Sequence, residues 1–155
     1  STRSQSASER WHKERKNRLT ASKFGLVFKR KKKPSEAFMT SIFSPKPLNT
    51  PSIRHGVKNE STAKDNYLKH RPGAHLHECG LVVSKDLPFL GASPDAVLCE
   101  NDEVGLVECK CPFSVRDTSI KVACQDPKFF LTHNPRTDVI SLKEDHMYYA
   151  QFKAS

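Results

Sequence analysis

The pattern of polar and apolar positions in the first 70 residues is helical. It predicts helices over "ERWHKERKN" (9–17), "ASKFGLVF" (21–28), "SEAFMTSIF" (35–43) and the segment 52–69. Ser6 and Glu9 have the spacing of a capping box, and Thr20 or Ser22 is placed to cap the second helix. The prolines of "SPKPLNTP" (44–51) predict a loop between the third and fourth helices.

The second half of the chain begins with apolar runs typical of strands. These runs are "LHECGLVV" (76–83), "DAVLC" (95–99) and "VGLVECKC" (104–111). A helix over "SVRDTSIKVACQD" (114–126), short strands at "KFFL" (128–131) and "DVISL" (138–142), and a last helix over "EDHMYYAQFKAS" (144–155) complete the prediction. This order of elements predicts an α/β fold of mixed α+β type, with a central mixed β-sheet flanked by helices.

Length and composition fit one domain. The chain has 155 residues, with 36% hydrophobic and 28% charged residues, which is typical of a globular protein. We expect a flexible segment over residues 1–8 and a single domain over 9–155. No apolar run approaches the length of a membrane span, so we expect no membrane partner.

The charge and the cysteines bear on partners and location. A net charge of +9 favours polyanionic partners, but charge alone does not separate nucleic acid from an acidic protein or a membrane surface. The five cysteines are odd in number, which favours reduced thiols in an intracellular protein over a disulfide framework. The basic run "KRKKKP" (29–34) is interpreted as a solvated loop, or alternatively as a nuclear-import or DNA-contact segment.

Two acids and a lysine stand at the base of a predicted hairpin. If Asn101-Asp102 forms a two-residue loop, counting outward places Asp95 opposite Glu108. Like charges at opposed positions are destabilising, unless a divalent cation lies between them. Lys110 then falls on the same face as Glu108 and could stabilise charge developing on a phosphate. A surface salt bridge between Glu108 and Lys110, with Asp95 as a turn acid, explains the pattern equally well.

Glu60 adds a third acid to this picture. It stands within a helical stripe that contains Ile53, Val57, Lys64 and Tyr67. An unpaired carboxylate facing inward is costly, and Lys64 at i+4 offers a weak surface pair. The same metal site would explain an acid aimed at the sheet.

Five short motifs resemble one branch of a nuclease superfamily. Asp95 followed by "ECK" resembles the PD-(D/E)xK signature. The segments "WHKERKNRLTAS", "RHGVKNES", "GASPDAVL" and "HMYYAQ" resemble motifs of the YqaJ-type viral recombinase and lambda-exonuclease branch, in the same order. The resemblance spans residues 9 to 151. It implies a restriction-endonuclease-like core and a Mg²⁺-dependent DNA exonuclease that acts on linear duplex ends in recombination, repair or mobile-element processing, with Mn²⁺ able to substitute.

The resemblance also implies roles for particular residues. Asp95, Glu108 and the main-chain carbonyl of Cys109 would bind the metal, and Glu60 would support the site directly or through water. Lys110 would be the catalytic lysine, while Tyr148 and Gln151 would line the site. The DNA phosphate would be held by Arg15, Thr20 and Ser22. Without the resemblance, Arg15 is interpreted as a solvated helix charge.

The sequence departs from the family pattern in two places. Ala96 stands where a Gly is usual, and Lys153 stands where a second Gln is common. Members generally continue beyond the position of residue 155, so we expect a chain truncated at its C-terminus. The resemblance leaves open a homo-oligomer or a single-strand annealing partner. We expect an intracellular location, nuclear if the source is eukaryotic.

Two other functions remain open. A basic domain with a nuclease fold could bind DNA without cutting it. A zinc site could use the alternating residues of "HLHEC" and "CKC", although their spacing does not match common zinc knuckles.

Overall fold

A computed structural model describes residues 1–45 and 48–155, so part of the predicted 44–51 loop lies outside the described residues. The α-helices are α1 (Glu9–Lys16), α2 (Ala21–Phe28), α3 (Glu36–Phe43), α4 (Pro51–Lys69), α5 (Ile120–Ala123) and α6 (Met147–Lys153). The strands are β1 (Leu19–Thr20), β2 (His75–His77), β3 (Val82–Val83), β4 (Leu90–Ala92), β5 (Ala96–Glu100), β6 (Glu103–Val107), β7 (Leu131–Asn134) and β8 (Val139–Leu142). This architecture confirms the mixed α/β class.

The helices of the first half form where capping residues begin them. Ser8, rather than the predicted Ser6, caps α1, because the Ser8 side chain accepts a hydrogen bond from the Trp11 amide. Ser35 and Thr50 cap α3 and α4 in the same way. Thr20 precedes α2, but its hydroxyl makes no capping bond. That hydroxyl is therefore available for other contacts.

The segment predicted to be flexible contains a 3₁₀ turn over Gln5–Ala7. The Gln5 side chain donates hydrogen bonds of 2.8 Å to the carbonyls of Cys79 and Pro94. These contacts join the first residues to the segment between β2 and β3 and to the turn between β4 and β5.

The predicted central sheet is divided into three short hydrogen-bonded ladders. The first has the order β1-β4-β3, with β1 parallel to β4 and β3 antiparallel to it. The second is the antiparallel sheet β2-β5-β6, and the third is the hairpin β7-β8. The turn Ser93-Pro94-Asp95 leads from β4 of the first ladder into β5 of the second. This turn therefore lies where the two ladders meet.

The register of the β5–β6 hairpin is as predicted. Glu100 pairs with Glu103 and Ala96 with Val107. Asn101 and Asp102 have φ of 50° and 62°, the left-handed conformation that a two-residue loop of type I′ requires. The prediction that the strand continues through Cys111 is wrong, because β6 ends at Val107.

The segment after the hairpin contains less helix than the sequence predicts. A 3₁₀ turn over Phe113–Val115 and the one-turn helix α5 replace the predicted helix 114–126. Ser119 causes the break, because its side chain accepts from the Val122 amide and starts a new helix in the middle of the segment. The strand predicted at 128–131 instead begins at Leu131.

Close packing of α2 against α6 fixes the last helix. A Cβ placed on Gly25 of α2 would lie 2.9 Å from the carbonyl oxygen of Met147 and 3.1 Å from its Cβ. Only glycine permits this approach. The buried apolar side chains are small for the most part: Ala21, Ile42, Ala74, Ala92, Ala96, Ala123 and Phe129.

Two further observations concern the thiols and the helices. All five cysteines are free thiols. Within the described residues, every helix is too short or too polar to cross a lipid bilayer.

Candidate active site

Asp95 and Glu108 stand at the open end of the β5–β6 hairpin. The Asp95 amide still donates to the Val107 carbonyl at 3.0 Å, but the next ladder position is different. There the Cys109 amide donates to Asp95 Oδ2 at 2.6 Å, so a side chain replaces the ladder carbonyl. Because the Asp95 side chain takes the place of a main-chain acceptor here, the strand ends at Val107. The segment from Glu108 to Lys110 therefore lies outside the sheet.

The electrostatics of Asp95 show that the carboxylates are crowded. Burial raises the pKa of Asp95, and the charges of Glu108 and Glu60 raise it further. The hydrogen bond from the Cys109 amide and the charge of Lys110 only partly offset these effects. A positive charge added here would stabilise the ionised acids.

Glu108 is held by two donors from different elements. Lys110 Nζ and Gln151 Nε2 both donate to Glu108 Oε1. Lys110 Nζ also lies 5.0 Å from the ring centroid of Tyr148. Helix α6, which carries both Tyr148 and Gln151, therefore closes the site beside the end of the hairpin.

Glu60 reaches the site through a lysine. Lys64 Nζ donates to Glu60 Oε1 at 2.6 Å and to the main-chain carbonyl of Asp95 at 2.8 Å. Burial lowers the pKa of Lys64, but the hydrogen bond and the charge of Glu60 outweigh it, so that the pKa is raised. Sequence reasoning treated Lys64 only as a surface partner at i+4, and missed this link between α4 and the Ser93-Pro94-Asp95 turn.

Arg15 forms the centre of a cluster of hydroxyl groups. Its guanidinium donates to Ser93 Oγ at 3.2 Å and to Thr20 Oγ1 and Ser22 Oγ at 3.4 Å. Burial lowers the pKa of Arg15. Within the described residues Arg15 has no carboxylate partner in a salt bridge. Arg15 is half-buried, and a guanidinium whose partners are hydroxyl groups keeps donors that an anion such as phosphate could accept.

Ser93 and Trp11 belong to the same cluster, although the sequence reasoning did not assign them to the site. Trp11 Nε1 donates to Ser93 Oγ at 2.9 Å, and the Arg15 guanidinium lies 4.1 Å from the centre of the indole ring. The sequence did contain a signal for both residues. Ser93 directly precedes Pro94-Asp95, and Trp11 precedes Arg15 by one helical turn. Only the folded chain brings them together.

A single cavity joins the two halves of the site. It has a volume of about 190 Å³ and is lined by Arg15, Ser22 and Ser93 on one side and by Glu108, Lys110 and Gln151 on the other. A second cavity of about 390 Å³ contains Glu60, Asp95, Cys109 and Tyr148, and Lys110 lines both. Every predicted site residue except Thr20 therefore lines one of these two cavities, and Thr20 contacts Arg15.

The donor atoms suit a hard divalent cation. Asp95, Glu108 and the carbonyl of Cys109 are neighbours along the end of the hairpin and supply oxygen ligands, which Mg²⁺ prefers. Glu60 is bound to Lys64 in this structure. Within residues 1–45 and 48–155, no group of three or more His, Cys, Asp or Glu side chains is arranged to hold a metal ion, and this includes the residues considered for zinc. The two carboxylates and the main-chain carbonyl would be the oxygen ligands of such a cation.

Comparison with known proteins agrees with this fold. Residues 10–134 match the YqaJ-like viral recombinase domain, and the chain belongs to that family. The crystal structure of an alkaline exonuclease, LHK-Exo from Laribacter hongkongensis, is similar, with a TM-score of 0.59 and 19% identity over 95% of this chain and 88% of that one. The structure of LHK-Exo in complex with dAMP gives a TM-score of 0.60, with the same identity and coverage. No significantly similar curated protein was found.

These comparisons confirm the resemblance that the motifs indicated and the mixed α/β fold that it implied. The identity to LHK-Exo is too low to transfer more than the fold.

Proposed function

We propose that this chain is a divalent-metal-dependent DNA nuclease that acts as an exonuclease on linear duplex ends. One observation carries the proposal: a cavity joins the half-buried Arg15 guanidinium, which is surrounded by hydroxyl groups, to the acid–lysine end of the β5–β6 hairpin. An anion site beside a pair of crowded carboxylates suits a phosphodiester backbone. The fold shared with an exonuclease that was crystallised with a deoxynucleotide supports the choice of DNA.

In this proposal, Arg15 positions the DNA. Its guanidinium, with Ser22 and Ser93, binds a phosphate, and Trp11 holds both Arg15 and Ser93 in place. The planar fork of an arginine recognises two phosphate oxygens at once, which fixes the backbone in one orientation. The adjoining phosphodiester is then presented to Glu108 and Lys110 across the same cavity.

Asp95, Glu108 and the carbonyl of Cys109 would hold Mg²⁺, and Mn²⁺ could substitute for it. When bound, the ion lowers the pKa of a water molecule and stabilises negative charge on the phosphate. The chain contributes the alignment: the Cys109 amide fixes Asp95, and Gln151 fixes Glu108. Glu60 with Lys64 supports the main chain at Asp95.

Lys110 would bind the reacting phosphate or the attacking water. Its ammonium lies beside the Tyr148 ring and contacts Glu108, so it already points into the site. A positive charge at that position stabilises the charge that develops on phosphorus.

The proposal is tested by incubating the protein with linear duplex DNA and Mg²⁺. We expect nucleotides to be released from the ends and a covalently closed circle to remain intact. Glu108→Gln, Lys110→Ala and Arg15→Ala should each lower the rate by at least about 100-fold, which is the effect of removing one charge-stabilising group. Glu103→Gln at the other end of β6 is the matched control for charge, and it should cut like the wild type.

Two outcomes would contradict the proposal. One is the absence of cleavage by the wild type with Mg²⁺ or Mn²⁺, and the other is undiminished cleavage by Glu108→Gln or Lys110→Ala. Salt-sensitive binding of DNA without cleavage would favour the alternative of an inactive DNA-binding module.

The biological role that we propose is the processing of DNA ends in recombination, repair or movement of a mobile element. This role requires a location with access to the genome, inside the cell and in the nucleus if the source is eukaryotic.

A further inference from the structure

A groove of about 570 Å³ adjoins the candidate active site. It is bordered by α1, α2 and the end of α3, and its lining includes Trp11, Arg15, Lys16, Lys23, Ile42 and Phe43. Trp11 and Arg15 also line the cavity that contains Glu108 and Lys110. Arg15 therefore lines both the groove and the active-site cavity. The proposed phosphate site is thus continuous with the groove.

The charges of the groove favour a polyanion. Arg15, Lys16 and Lys23 contribute cations, and none of the described lining residues is Asp or Glu. The nearest acid along α1, Glu14, pairs with Arg18 at 2.6 Å. Clustered cations in a concave surface concentrate a negatively charged ligand.

The groove also has apolar and aromatic side chains against which DNA bases could stack. Phe43 and Trp11 are half-buried aromatic side chains, and Ile42 is only 6% exposed. Flat aromatic walls beside cations are typical of sites that bind single-stranded DNA, where bases stack and phosphates pair.

We propose that this groove binds the unpaired nucleotides of a DNA end that extend beyond the phosphate held by Arg15. This inference rests on the proposed function for its phosphate site. It assigns a substrate class: duplex ends with a short single-stranded extension bind more tightly than blunt ends.

The test compares binding of three labelled duplexes in EDTA at one salt concentration. One duplex is blunt, and the others carry a four-nucleotide extension on the 5′ or on the 3′ strand. For the wild type, we expect one of the extended duplexes to bind about tenfold more tightly than the blunt duplex, which is the effect of about one stacked base with its phosphate. The readout is the ratio of the two Kd values.

Two variants and two matched controls identify the groove. Phe43→Ala and Lys16→Ala should each reduce the ratio to about threefold or less. Phe28→Ala removes an exposed phenyl group from α2, and Lys13→Ala removes an exposed charge from α1, both away from the groove. These controls should keep the ratio of the wild type.

A wild-type ratio close to one for both extensions would overturn the inference, and so would an unchanged ratio in Lys16→Ala. Lys16 is exposed, so that variant tests the groove even if Phe43→Ala does not fold. Cleavage is scored separately. If the wild type prefers extended ends but cuts no DNA with Mg²⁺, the proposed nuclease function is contradicted, whereas the inference that the groove binds unpaired nucleotides is supported. If the wild type cuts blunt duplex and binds extended ends no more tightly than blunt ends, only the inference about the groove is contradicted.

Discussion

Asp95 is a residue whose charge the folded chain disfavours. Its carboxylate accepts the Cys109 amide, which keeps it in place, yet burial and two neighbouring acids raise its pKa. A site that only needed stability would not hold three acids together. The arrangement makes sense if a cation completes it, so stability and function oppose each other at this residue.

The raised pKa of Asp95 predicts a pH-dependent effect of Asp95→Asn. A carboxyl with a raised pKa lowers the stability of the folded state as the pH rises above its unfolded value of 3.8, and this loss is complete once the pH exceeds its folded pKa. In EDTA we therefore expect Asp95→Asn to be more stable than the wild type at pH 7.5, with a smaller difference at a pH close to 3.8.

Urea unfolding at the two pH values measures this effect. Asp65→Asn removes the same charge from the exposed side of α4 and is the control. Equal stability of Asp95→Asn and the wild type at pH 7.5 would show that the acids are not crowded.

Cys109 gives a second prediction at the scale of a residue. Burial raises the pKa of its thiol to about 11, and the nearby charge of Asp95 adds to this effect. Because only the thiolate reacts with iodoacetamide, alkylation of Cys109 at pH 8 should be at least tenfold slower in the folded protein than in urea. Peptide mass spectrometry in EDTA follows the rate, which should still be rising above pH 9. Fast alkylation at pH 8 would contradict the structure.

At the scale of elements, the site depends on how α2 and α6 pack. Helix α6 carries Tyr148 and Gln151, and its first residue lies against Gly25 of α2. The contact is short because no side chain separates the two backbones. The position of Gln151 against Glu108 therefore depends on a glycine that is far from the acids in sequence.

Two glycine substitutions test this dependence. Gly25→Ala should destabilise the protein by about 1–2 kcal/mol, because the added methyl group would overlap the backbone of Met147. It should also lower the cleavage rate about tenfold or more by displacing Gln151.

Gly56→Ala is the matched control. Gly56 lies within α4, and an added Cβ there meets no atom within 4 Å. This variant should gain about 0.5–1 kcal/mol, since alanine favours a helix more than glycine does. Thermal unfolding compares the two variants, and a Gly25→Ala protein as stable as Gly56→Ala would contradict the close packing.

The whole molecule carries a net charge of +9, to which the basic run at residues 29–33 contributes. A strongly basic surface attracts DNA at long range, whereas the pocket determines which phosphate is held. In the proposed function, affinity for DNA and selection of the bound phosphate would thus come from different sets of residues.

The salt dependence of DNA binding measures the first contribution. If three phosphates are contacted, the slope of log K against log salt should be about −3. Arg15→Ala should reduce the magnitude of this slope by about 1, while Glu108→Gln should leave it unchanged. A slope near zero would exclude phosphate contacts as the source of affinity.

A divalent cation that binds Asp95 and Glu108 should stabilise the folded domain against unfolding. With 10 mM Mg²⁺ and a Kd of about 1 mM, linkage adds about 1.4 kcal/mol and raises the Tm by a few degrees. Asp95→Asn and Glu108→Gln should lose this response, and Asp65→Asn should keep it. Calorimetry with and without Mg²⁺ makes the comparison.

Local signals allowed much of the fold to be predicted. The spans of α3 and α4 follow from caps and apolar spacing, and the hairpin register follows from a two-residue turn and strict alternation. These features depend on residues close together in the chain. The prediction of one helix over 114–126 was wrong, because the Ser119 side chain accepts a hydrogen bond from the Val122 amide in the middle of that segment.

The sequence by itself determined the register that sets Asp95 against Glu108 and the order of motifs that indicated the family. Only the tertiary structure decided that the strand ends at Val107, that Lys64 joins Glu60 to the Asp95 main chain, and that Ser93 meets Arg15. The physical reason is separation along the chain. Ser93 and Arg15 are 78 residues apart, so no periodicity or turn propensity relates them, and their contact exists only after packing has placed both beside one cavity.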